Sequence, residues 1–194
     1  IFYSAPAYTQ WQQLNSFGST CGSGCYVSSM LSLGTRIVVS TNNGIYSSAD
    51  AGLTWTYDST GMGSHYVYQL VKQGSVIYAS TGSGMYWSLD NGSTWSLRNN
   101  SLFFPYFTSM GSLLFGYSNE IYMSADSGAS WIQKTSGWYM SLSLAANGPL
   151  LFAGNIDNVG TGGIWTSADS GTTWNQHQPL GDVNSIGFLG GYVF

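Results

Sequence analysis

Few side chains in this 194-residue chain are of types that do chemistry. Hydrolysis of a glycosidic bond needs two facing carboxyls, one as acid and one as base or nucleophile. Of the 8 acidic residues, Asp50, Asp90, Asp126 and Asp169 occupy one position of a repeated motif described below. Asp58, Glu120, Asp157 and Asp182 remain, far apart in sequence, with nothing that sets two of them face to face. His65 and His177 lie outside any nucleophile-elbow motif or ordered Ser-His-Asp pattern and read more simply as hydrogen-bonded loop residues. Asn155, Asp157 and Asn158 offer oxygens to calcium, although a polar loop tip needs no ion to explain it. Cys21-Gly-Ser-Gly-Cys25 has neither the C-x-x-C spacing of a redox motif nor the two further ligands of a zinc site. It reads as a small loop disulfide of an oxidising compartment or as two free thiols, and no basic neighbour lowers a thiol pKa. The inventory predicts no catalysis, no cofactor and no metal.

Composition narrows the partners. Only 6% of the residues are charged, 4 basic and 8 acidic, for a net charge of −4; a typical soluble chain has about 25%. Nucleic acid is excluded as a partner, because no basic groove can be assembled. Disorder is excluded by the 43% hydrophobic and 16% aromatic content. No run approaches the roughly 18 apolar residues of a spanning helix, so membrane insertion is not expected. The chain opens Ile1-Phe2-Tyr3 without a secretory apolar segment, as a processed form or part of a longer chain would.

The elements that position these residues come from an internal repeat. Four eight-residue segments align without gaps: Ser48 to Trp55, Ser88 to Trp95, Ser124 to Trp131 and Ser167 to Trp174. Each reads S-x-D-x-G-x-[TS]-W and follows an apolar–aromatic pair, Ile45-Tyr46, Met85-Tyr86, Ile121-Tyr122 or Ile164-Trp165. A worn fifth copy starts at Ile1, keeping Ser4 and Trp11 but with Pro6 and Tyr8 in the Asp and Gly positions. An Asp in a strand-to-strand turn accepts backbone N–H bonds, and a Gly supplies positive φ. The Trp then opens the next strand and buries its ring. Structural turn roles are therefore expected for Asp50, Gly52 and Trp55, for Asp90, Gly92 and Trp95, for Asp126, Gly128 and Trp131, and for Asp169, Gly171 and Trp174.

This pattern resembles the Asp-box (BNR) repeat of sialidases, some glycoside hydrolases, sortilin-type receptors and a photosystem assembly factor. The resemblance spans essentially the whole chain. It implies a β-propeller whose box turns lie on hairpins away from the ligand face. Sialidase chemistry would also need a cluster of three arginines, and this chain has only Arg36 and Arg98.

Between boxes, each repeat reads as short alternating strands; in the second they fall at Tyr66–Val71, Ser75–Ser80, Met85–Ser88 and Thr94–Leu97. Four antiparallel strands in about 40 residues is a propeller blade. The fold class is thus all-β, a single domain over residues 1–194 with repeats starting near 1, 45, 85, 121 and 164. The last repeat is short, and its tail from Val183 resembles the first strand and part of the second strand of a blade. Residues 1–15 would supply the other two, closing five blades by pairing the terminal strands. A fragment of a six- or seven-bladed ring is the alternative.

In such a propeller the inter-blade connections share one face. Phe17–Cys25, Asp58–His65, Arg98–Pro105, Lys134–Tyr139 and Gln176–Asp182 would lie there, with the loop Gly154–Gly163. The candidate ligand or contact residues are His65, Arg98, Asn99, Phe103, Phe104, Trp138, Tyr139 and His177. Two non-catalytic readings follow. The near-absence of charge favours self-assembly, as the subunit of an extracellular or cell-surface filament, sheath or layer. Aromatic rings with amides and hydroxyls would instead suit a lectin-like module for neutral glycans. A fragment of a larger Asp-box glycoside hydrolase is the remote third.

Overall fold

The computed structural model describes residues 2–4, 11–13, 17–63, 66–136, 141–155, 162–179, 181–189 and 192–193. Four antiparallel meanders of four strands follow one another along the chain. Blade one is β3 (Val27–Leu33), β4 (Arg36–Thr41), β5 (Gly44–Ser48) and β6 (Thr56–Tyr57), and it is preceded by β1 (Phe2–Ser4), β2 (Trp11–Gln13) and the short helix α1 (Phe17–Cys21). Blade two is β7 (Val67–Gln73), β8 (Val76–Thr81), β9 (Gly84–Ser88) and β10 (Ser96–Asn99). Blade three is β11 (Tyr106–Met110), β12 (Leu113–Ser118), β13 (Glu120–Ser124) and β14 (Ile132–Gln133). Blade four is β15 (Ser141–Asn147), β16 (Leu150–Asn155), β17 (Gly163–Ser167) and β18 (Asn175–Pro179), and the tail adds β19 (Phe188–Leu189) and β20 (Tyr192–Val193). The expected β-propeller architecture is what the chain adopts.

Strand two of each blade is apolar on both faces because blades stack on both sides of it. Tyr78 faces forward to Phe104, Phe107 and Leu114 of blade three, while Ile77 and Ala79 face back to Val38 and Ile45 of blade one. Phe115 and Ile121 likewise meet Leu144, Leu151 and Ala153 of blade four. These side chains are almost wholly removed from water, and burial of each large apolar one stabilises the fold by about 1.5–3 kcal/mol. Gly116 in β12 has no room for a Cβ, which would lie 2.5 Å from the Phe104 ring.

The two half-blades behave differently from the four complete ones. β1 pairs with β2 and β19 with β20, and among the described residues no ladder joins the two hairpins. The head hairpin nevertheless has the register of the box hairpins: Phe2↔Gln13 and Tyr3↔Gln12 repeat Tyr46↔Tyr57 and Ser47↔Thr56. The tail ladder ends at Leu189↔Tyr192, as the first hairpin of blade one ends at Leu33↔Arg36.

Two sequence expectations need adjustment. Residues 17–21, read as loop, form one turn of helix whose Phe17 ring packs edge-on against Trp55 at 4.9 Å and Tyr46 at 5.6 Å. Gln176 and His177, read as connection, lie in β18, just as Arg98 and Asn99 lie in β10, because the outer strands run further than the alternation suggests.

Candidate functional site

The box turns show what the repeated residues do. Ser48 donates to Asp50 Oδ1 at 2.7 Å while its hydroxyl oxygen accepts the Gly52 N–H at 2.7 Å. Asp50 then accepts the Thr54 N–H at 2.8 Å and the Thr54 hydroxyl at 2.6 Å. The same set recurs around Asp90, Asp126 and Asp169. Both the Gly and the residue before it take positive φ: Ala51 is at 58° and Gly52 at 91°, with Asn91, Ser127 and Ser170 in the place of Ala51. Sequence reasoning assigned that conformation to the Gly alone.

Those bonds hold the carboxylates ionised. Donation from Thr54, side chain and backbone, and from Ser48 brings Asp50 down from 3.8 to about 2. Bonds from Ser130 and Ser124 hold Asp126 at about 2 as well. At Asp90 partial burial works upward, yet the bonds from Thr94, Ser88 and Ser93 outweigh it and leave the carboxyl at about 2. Thr173 and Ser167 hold Asp169 lower still.

The other ends of the blades are built differently. Five stretches of chain meet around a central cavity of about 280 Å³: Ser28–Ser29, Tyr68–Gln69, Pro105–Tyr106, Ser143–Leu144 and Asn184–Ile186. In three blades the innermost strand carries a bulge there, between Val27 and Ser29, between Val67 and Gln69, and between Ser141 and Ser143. A bulge adds an unpaired residue and re-aims its side chain; Ser28 and Tyr68 are such residues. Polar side chains also tie neighbouring blades at the cavity wall. Gln69 Oε1 accepts the Phe107 N–H at 2.8 Å, Ser29 Oγ accepts the Leu70 N–H at 3.2 Å, and Ser143 donates to the Val183 carbonyl at 3.3 Å. Among the described residues, no charged side chain lines the cavity.

An aromatic belt runs across three blades beside it. Tyr26 meets Tyr66 edge-on with ring centroids 5.8 Å apart, Tyr66 lies tilted against Tyr68 at 4.2 Å, and Tyr68 meets Phe103 edge-on at 4.7 Å. Tyr26 is 51% exposed and the other three are half-buried. A hydrogen bond with Tyr26, followed by desolvation, pushes the Tyr66 hydroxyl up to about 12.

The sequence candidates divide accordingly. Phe103 belongs to the belt. Phe104, expected on the contact face, is instead core, 1% exposed with its ring 4.3 Å from that of Trp131. Phe107, the second residue of β11, is buried as well and packs in the same cluster as Phe104. Arg98 and Asn99 turn to the next blade, donating to the carbonyls of Asp126, Ser127 and Ala129 at 2.7–2.9 Å. Arg98 also lies 4.3 Å over the Trp87 ring. His177 shares a 2.7 Å hydrogen bond with Thr166 on the outer part of blade four. His65, Trp138, Tyr139, Asp157 and Asn158 lie outside the described residues. Cys21 and Cys25 are joined as a disulfide. Asp58 is paired with Arg36 at 2.8 Å, and Glu120 accepts the Thr135 hydroxyl at 2.7 Å. Sequence reasoning missed Tyr26, Tyr66 and Tyr68; the shared signal was an aromatic residue one or two places before or within the first strand of each blade.

No protein-family model matches the chain, and no curated protein matches it in sequence. Solved structures do. YCF48 from Cyanidioschyzon merolae superposes with a TM-score of 0.63 at 14% identity, over 85% of this chain and 60% of that one. A chain of the nidogen/laminin complex gives 0.67 at 10% identity, over 86% and 70%. The GH74 enzyme of Niastella koreensis gives 0.61 at 16% identity, over 87% of this chain but only 32% of the enzyme. At these identities the likeness is one of fold. Binding proteins and a hydrolase share it, so the fold leaves the chemistry to the site.

Proposed function

We propose that the chain is a non-catalytic recognition propeller of the Asp-box type, acting outside the cell or at its surface, that binds a neutral glycan across the mouth of its central cavity. The observation that carries this is the belt Tyr26–Tyr66–Tyr68–Phe103 beside a cavity lined by hydroxyls and amides. Sugar rings present an apolar face bordered by hydroxyls, and rigid aromatic rings with a few directed polar groups complement that surface. The absence of charge among the described lining residues suits an uncharged ligand. Asp58 tied to Arg36 and Glu120 tied to Thr135 supply no free acid–base pair, which favours binding without turnover. The disulfide suits an oxidising compartment. A glycan array tests the reading: neutral oligosaccharides should retain the protein and sialylated or sulfated ones should not, with the bound sugar recovered unhydrolysed. Preference for anionic glycans would defeat it.

Self-assembly stands as a second reading on a separate observation. The outermost strands of blades one to three are unpaired edges carrying exposed Tyr57, Leu97 and Ile132, and the box turns add exposed Leu53 and Leu89. An apolar edge with few charges is a template for association. Negative-stain images and sedimentation decide it: regular polymers would favour this reading, a dispersed monomer would remove it.

A further inference from the structure

The aromatic belt begins beside the one disulfide of the chain. The bridge from Cys21 to Cys25 closes over Gly22-Ser23-Gly24; Cys21 is buried against Val39, Tyr46 and Trp55, while residues 22–24 are exposed. The Cys25 N–H donates to the Gly22 carbonyl at 3.4 Å. Gly22 and Gly24 take φ of 91° and 80° with nothing within 4 Å of where a Cβ would stand, so the turn itself, rather than crowding, asks for glycine. Tyr26 follows directly.

The turn between β4 and β5 grips this loop from the other side. Asn42 Nδ2 donates to the Gly24 carbonyl at 3.1 Å and Asn42 Oδ1 accepts the Tyr26 N–H at 3.2 Å, so one amide holds the backbone on both sides of Cys25. The turn itself follows a shared plan. Thr41 Oγ1 donates to the Gly44 carbonyl and accepts the Asn43 N–H, both at 2.9 Å, as Thr81 does with Gly84 and Ser83 at 2.8 and 3.2 Å. Register puts Gly82 of blade two at the station of Asn42, where it has no side chain to offer. The bridge and the Asn42 amide are thus additions to that plan, gathered around the residue that starts the belt. A bridge across so short a loop restricts little of the unfolded chain, so its constraint is chiefly local. Tyr26 is 51% exposed and meets the Tyr66 ring edge-on at 5.8 Å. On a free loop it would sample several orientations, and a ligand would have to order it on binding.

We propose that the Cys21–Cys25 bridge and Asn42 form a positioning clasp that presets Tyr26 in the belt and thereby raises the affinity of the mouth for its ligand. The gain in affinity rests on the glycan-binding reading above; the placement of Tyr26 does not.

Asn42→Ala in the full chain tests the clasp. Without ligand, nuclear Overhauser contacts between the Tyr26 and Tyr66 rings should be present in the wild type and lost in the variant. In calorimetry with the strongest neutral oligosaccharide from the array, Asn42→Ala should weaken binding about two- to tenfold, the cost of ordering one side chain. In a Tyr26→Ala background it should cost nothing further, because the clasp acts through that ring. Excess dithiothreitol should reproduce both losses: the S–S bond opens, Cys21 and Cys25 each gain an electron and a proton, and the dithiol closes to its own disulfide. Ring contacts that survive both Asn42→Ala and reduction would overturn the proposal, whether or not a glycan binds. Lost contacts with unchanged affinity would overturn it too, as would an equal affinity loss from Asn42→Ala with and without the Tyr26 ring. If the wild type binds no neutral glycan, the glycan reading fails by itself, and loss of the ring contacts in Asn42→Ala still upholds the placement of Tyr26.

Discussion

The two ends of each blade obey different rules. At the box end, four blades repeat the same hydrogen bonds to within a few tenths of an ångström: a Ser, an Asp and a Thr or Ser closing one turn over a Trp that is buried in blades one and two and half-buried in blades three and four. At the cavity end the blades diverge: register places Ser29, Gln69, Tyr106 and Ser143 at one station, and the bulge residue beside it is Ser28 in blade one but Tyr68 in blade two. Each blade needs its box to hold strands three and four together and to seat on its neighbour. Nothing in blade formation dictates the cavity residues beyond the inter-blade ties, so that is where side chains are free to differ. Repetition marks the scaffold, and departure from it marks the candidate site.

Perturbing the two ends should separate stability from recognition. The largest effect is expected from Trp95→Ala, which removes a ring 3% exposed and its hydrogen bond to the Asp58 carbonyl. Loss of about 3–5 kcal/mol should appear in denaturant unfolding. Acid should act on all four boxes together. Their carboxyls titrate below the ordinary 3.8, at about 2 in Asp50, Asp90 and Asp126. A depressed folded value stabilises above the unfolded pKa and loses that contribution as pH falls, so Tm should hold down to about pH 4 and decline between 4 and 2. Asp126→Asn should lower Tm at neutral pH and soften that decline. A smaller gain should follow Ala51→Gly, because Ala51 holds φ at 58°. Relief of left-handed strain, partly offset by the freer unfolded chain, leaves up to about 1 kcal/mol, read as a Tm rise of about 2–4 °C. Asn91→Gly should gain less, since Asn tolerates that conformation. Smallest of all, Tyr26→Ala should leave stability within about 0.5 kcal/mol while weakening glycan retention. A large Tm loss there would make the belt part of the scaffold and erase the contrast.

The scaffold was legible in the sequence because its signals are local. Ser48, Asp50, Gly52 and Trp55 lie within one turn, so their spacing alone encodes their contacts, and the strand boundaries of blade two came within about two residues. The cavity end was hardly legible. Tyr26, Tyr66, Tyr68 and Phe103 come from three blades, and only tertiary packing brings their rings together. The same limit misread Phe104, since an aromatic beside a proline in a connection looks exposed until Gly116 opens space for it. Arg98 was read as a ligand-face cation because the charge was visible and its partner, the carbonyls of the next box, was not.

Titration calorimetry on the strongest neutral oligosaccharide from the array, comparing the wild type with Tyr68→Ala, tests the central claim most directly. Saturable binding that is insensitive to salt and falls at least tenfold in the variant, an affinity loss of about 1.4 kcal/mol or more, is the predicted result. Binding that survives Tyr68→Ala unchanged, or that weakens steeply with salt, would contradict it.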